Sequence, residues 1–94
     1  MNAATDAVTH DAAGKRFIVT VDGQQAALEY EREDDLMVIT HTLVPPAIGG
    51  RGIAAQLVKV ALDHARAQGW KVRPACSYAV AYLRKNSAYA DLVA

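Results

Sequence analysis

Cys76, Tyr78 and His41 are the side chains here whose chemistry goes furthest beyond packing, and Gly49-Gly50-Arg51-Gly52 is the most unusual spacing. A cysteine just ahead of a helix start is placed to act as a nucleophile through its thiolate. The alternative is a small buried hydrophobe. His41 is either a general base near neutral pH or a hydrogen-bonded structural group on a strand. The phenols of Tyr78 and Tyr82 are proton donors, or packing residues with the hydroxyl at the surface. Arg84, Lys85 and Asn86 stand at a helix end. They reach for phosphate oxygens or complement and cap the helix C-terminus. His10 and His64 have no spaced partners and Cys76 lacks a second thiolate, so no metal site is expected.

The glycine segment lies between a strand and an amphipathic helix. Three glycines in four residues clear side chains from the approach. Amides at a helix start have no partner inside the helix, and the dipole there favours an anion. Gly49, Gly50, Gly52, Ile53 and Ala54 therefore read as a phosphate or diphosphate cradle, with Arg51 adding charge at the rim. A plain tight turn is the competing reading. A nucleoside-triphosphate P-loop is disfavoured because no Lys-Ser/Thr pair follows the last glycine. A dinucleotide fold is disfavoured because the glycines follow the third strand of an antiparallel run.

Hydrophobic spacing places these residues. Segments 16–22, 24–31, 36–44 and 70–76 read as strands, and 52–68 and 78–85 as helices. Asp22-Gly23 is a hairpin turn. Apolar residues on both faces of 36–44 predict a strand covered on both sides, ended by Pro45-Pro46. Gly69 stops the long helix, Pro74 makes the last strand irregular, and Ser77 is positioned to cap the final helix. Residues 88–94 form a tail of unassigned form. The order predicts an α+β domain over 14–94: a mixed, mostly antiparallel sheet with one βαβ crossover, which should be right-handed. Residues 1–13 read as a flexible leader.

The 94 residues suffice for one domain. Ten basic residues balance ten acidic ones, against a dedicated nucleic-acid binder. One cysteine excludes an internal disulfide and suits a reducing, cytoplasmic setting. No apolar run is long enough to span a membrane, so no membrane partner is expected.

Gly49 to Ala54, after a strand and opening a helix, resembles the acetyl-CoA loop of the GNAT N-acetyltransferase superfamily, Arg/Gln-x-x-Gly-x-Gly/Ala. Gly52 and Ala54 match its last two fixed positions; Gly49 stands where Arg or Gln is usual. His41-Thr42-Leu43-Val44-Pro45, Pro74-Ala75-Cys76-Ser77-Tyr78 and Asp91-Leu92-Val93 extend the resemblance to the small YjdJ-type N-acetyltransferase domains, over most of 16–94. It implies a GNAT-like fold, acetyl-CoA as cosubstrate and an amine acceptor, small molecule or protein. It also implies that the backbone of Thr42, Leu43 and Val44 pairs with the pantetheine arm. Gly50 to Ala54 would hold the diphosphate. Cys76 corresponds to the suspected catalytic residue of the small domains, and Tyr78 or Tyr82 to the acid that protonates the leaving thiolate. A CoA-binding or protein-interaction module with little turnover is the alternative.

Overall fold

A computed structural model describes residues 8–94 of the chain. Among the described residues five strands form one sheet, in the order of the chain. They are β1 (Thr9–Asp11), β2 (Arg16–Val21), β3 (Gln24–Glu33), β4 (Leu36–Leu43) and β5 (Lys71–Pro74). The helices are α1 (Ile53–Gln68), joining β4 to β5, and α2 (Ser77–Lys85) after β5. Short 3-10 segments, Pro46–Ile48 and Ser87–Leu92, precede α1 and follow α2. β1 to β4 pair antiparallel and β4 pairs with β5 in parallel. This is the expected α+β fold with its βαβ unit.

Two elements depart from expectation. β1 falls within the segment 1–13 read as a leader, of which residues 1–7 lie outside the described residues. His10 holds β1 down: its ring stacks on Phe17 at 4.3 Å, and Nε2 lies 2.5 Å from the Tyr30 hydroxyl. The tail after α2 is also shaped. Arg66 on α1 holds both carboxylate oxygens of Asp91 at 2.9 and 3.0 Å, and the Tyr89 hydroxyl donates to Asp63 at 2.6 Å. These contacts fasten the last 3-10 segment to α1.

The core lies on one face of the sheet. Phe17, Val19, Leu28, Met37 and Ile39 are buried there against Leu57, Val58 and Leu62 of α1. Each such side chain contributes roughly 1.5–3 kcal/mol when fully buried. The opposite face corrects the expectation for β4: Leu36 and Val38 are half-buried rather than covered. The register sets Val38 between Glu31 and Arg73, and Leu36 between Glu33 and Lys71. Long charged side chains flank these two apolar residues where a second layer was expected.

Turn chemistry follows the sequence closely. Asp22 and Gly23 both have positive φ, 50° and 74°, as a two-residue hairpin turn requires. Gly69 ends α1 with φ 78°, its amide bonded to Arg66 O while Trp70 N–H reaches Ala65 O. That pairing closes the helix with a left-handed residue.

Candidate functional site

The site begins at an irregularity in β4. Glu29 pairs with His41, but the next residue, Tyr30, pairs with Ile39. Thr40 is therefore the extra residue of a β-bulge, and its hydroxyl donates to Glu29 O at 3.1 Å. A bulge reverses the alternation of side chains beyond it. Thr42 now pairs with Leu28, a core residue, and shares the core-side face. His41 shares the solvated face with Glu29, Nδ1 to Oε1 being 3.4 Å.

β4 and β5 part at the same level. Their register ends at Ile39 opposite Pro74, which has no N–H to extend the ladder. Ile39 O accepts from the amides of both Ala75, at 2.9 Å, and Cys76, at 3.2 Å. The chain then turns into α2 with Cys76 as N-cap. Its Sγ accepts from Ala79 N–H at 3.4 Å and lies 3.5 Å from Thr42 Oγ1. The sequence pointed to Ser77 as the cap; the sulfur one residue earlier takes that role.

At the head of α1, Gly50 and Gly52 take φ values of 77° and 78°. Glycine adopts this conformation at the least steric cost. A Cβ at either would enter open space, so the surface is bare. Gly49 N–H is bonded to Pro46 O, and helical pairing resumes only with Gln56 N–H to Gly52 O. The amides of Gly50 to Ala54 have no intrachain acceptor among the described residues. They border a cleft of about 260 Å³ lined by Val44, Ile48, Gly49, Gly50, Gly52, Ile53, Ala54 and Tyr78. Burial, then the neighbouring Tyr82, raises the Tyr78 pKa above its ordinary 10.0, so the phenol keeps its proton.

The structure thus gathers most of the singled-out residues at one opening. Thr42 and Cys76 stand two residues before Val44 and Tyr78 of the lining. Leu43 pairs with Ala27, and its side chain is half exposed. Four residues lie elsewhere. His41 faces Glu29. Arg51 turns from the cleft to Asp22, 2.5 Å away. Arg84 lines another groove with Pro74, Val80, Leu83, Ala90 and Val93. Asn86 closes α2 by donating from Nδ2 to Tyr82 O at 2.8 Å. Ile48 of the lining was not anticipated; one isoleucine in a proline-led connection carries no periodic signal. Among the described residues no group of three or more His, Cys, Asp or Glu could hold a metal, and no helix is long and apolar enough to cross a membrane.

Known proteins resemble this chain in sequence and in fold. Residues 16–92 match the family described as GCN5-related N-acetyl-transferase. Protein NATD1 of Gallus gallus is 38% identical over 82 residues, covering 84% of this chain and 74% of the relative. Protein NATD1 of Homo sapiens is 38% identical over the same length, covering 73% of the relative. In structure, a GCN5-like putative N-acetyltransferase from Staphylococcus aureus, solved by NMR, superposes with a TM-score of 0.75 at 26% identity. It spans 100% of this chain and 91% of its own. The chain belongs to the GCN5-related N-acetyltransferase family.

Proposed function

We propose that the protein transfers an acetyl group from acetyl-CoA to an amine. The observation that carries this reading is the row of amides from Gly50 to Ala54, unpartnered among the described residues and opening on the same cleft as Val44 and Tyr78. Bare backbone donors at a helix start suit a diphosphate. Two left-handed glycines keep the approach clear, so the residues present fit the group.

Acetyl-CoA supplies an activated acyl group as a thioester; the residues bind, orient and hold protons around it. Gly50 to Ala54 hold the diphosphate. Beyond Ile39 the parted strands leave the Thr42–Val44 backbone beside the opening for the pantetheine amides. The protonated Tyr78 phenol donates to sulfur as the thiolate leaves. Cys76, capped onto Ala79 and touching Thr42, would stand beside the thioester. Transfer would be direct: the amine nitrogen bonds the acyl carbon as the C–S bond breaks, Tyr78 protonates the departing sulfur, and the amine proton returns to the phenol through solvent water. The single cysteine suits a reducing, cytoplasmic setting for this reaction.

One observation favours a second reading, a CoA-binding module with little turnover. No Asp, Glu or His lines the cleft among the described residues, and His41 lies beside Glu29, so no described side chain of the lining is a base for the amine proton. Free-thiol release from acetyl-CoA with peptide N-termini, lysine side chains, polyamines and small amines separates the two. Transfer predicts release that depends on one acceptor class. Saturable binding with no amine-dependent release would leave only the module.

A further inference from the structure

We propose that Asp22 is a built-in competitor for the cofactor: it holds Arg51 away from the diphosphate cradle and so sets the affinity of the cleft. This rests on the acetyl-CoA reading and adds a regulator to that same site. Arg51 lies between Gly50 and Gly52, so its guanidinium is the charged side chain of the bare loop. That guanidinium does not lean over the cleft. It crosses to the tip of the β2–β3 hairpin, where Nη1 meets Asp22 Oδ2 at 2.5 Å.

The meeting follows from topology. Ala27 pairs with Leu43, so the hairpin tip and the connection after β4 emerge at the same end of the sheet. Asp22 is held there by its left-handed backbone, φ 50°. Both partners are solvent-exposed, so the pair is weak and readily exchanged. A diphosphate at the adjacent amides offers the guanidinium more charge and more acceptor oxygens than one carboxylate. Binding therefore draws Arg51 off Asp22, and breaking that pair is subtracted from the affinity.

Titration calorimetry with acetyl-CoA on the full chain tests this with two variants. Asp22→Asn removes the charge but keeps the turn, because asparagine tolerates the left-handed region. It should bind acetyl-CoA about two- to five-fold more tightly than the wild type at low salt. The gain should shrink as salt rises. Asp22→Asn combined with Arg51→Ala should lose the gain. Unchanged or weaker binding by Asp22→Asn would overturn the competitor role alone, as would a gain that survives loss of Arg51. Absence of acetyl-CoA binding by all three proteins would overturn the transferase reading and this one together.

Discussion

Thr42 Oγ1 lies 3.5 Å from Cys76 Sγ, across the opening where the parallel strands β4 and β5 separate. The contact exists because Thr40 is bulged out of β4. Without that extra residue the alternation would place His41 on the core-side face and turn Thr42 to solvent.

The first prediction concerns what Cys76 does for stability. Its sulfur accepts the Ala79 amide at the start of α2. Cys76→Ala should lower unfolding free energy in urea by about 0.5–1 kcal/mol, whereas Cys76→Ser, a better cap, should not. With direct transfer, Cys76→Ser keeps substantial turnover and intact mass shows no acetyl group left on Cys76. A trapped acetyl adduct would show that the thiol reacts.

Tyr78 should separate catalysis from binding. Tyr78→Phe should lower kcat by about a hundred-fold through loss of the proton donor. Affinity for acetyl-CoA should stay within a few-fold. Because burial raises the phenol pKa above 10.0, wild-type turnover should not fall until pH rises beyond that value. A kcat unchanged in Tyr78→Phe would remove the acid role.

Gly52 should be needed for its backbone. Its φ of 78° disfavours any side chain, although a Cβ would meet no atom of the described residues within 4 Å. Gly52→Ala should cost about 1–2 kcal/mol of stability from the left-handed conformation. Its methyl group would also intrude on the diphosphate, so acetyl-CoA binding should weaken more than folding does. Full affinity would place the diphosphate elsewhere.

His10 gives stability a pH dependence. Its pKa is lowered from 6.5 chiefly by burial, then by His64 beside it; Asp11 opposes both. The unfolded chain takes up its proton near pH 6.5 while folded His10 still resists. Stability from this group is therefore lost as pH falls below 6.5, until the folded ring also protonates. Melting at about pH 7.5 and about pH 5.5 should show a drop that His10→Gln reduces. An equal drop in both proteins would assign it to other groups.

Local signals made most of this fold readable. Asp22-Gly23 specifies its turn by backbone conformation alone, and Ile53, Leu57, Val58, Ala61 and Leu62 mark one face of α1 by spacing. The bare loop before α1 is readable because three glycines in four residues leave the backbone uncovered there. Features that depend on a distant partner were not. β1 is three polar-mixed residues defined by His10 meeting Phe17 and Tyr30. The Thr40 bulge exists only relative to β3. Arg84 is a basic residue at a helix end in the sequence, and only the packing of α2 shows that it lines the groove of Pro74, Val80 and Leu83. Arg51 and Asp22 are 29 residues apart, and no local pattern joins them.

The most direct test of the central claim is an NMR titration of the 94-residue chain with acetyl-CoA, following every assigned backbone amide. The account predicts saturable shifts concentrated at Gly50 to Ala54, with Thr42 to Val44 and Tyr78 moving in the same titration. Saturable shifts confined to the groove of Pro74, Val80 and Leu83, or no saturable shift at all, would contradict it.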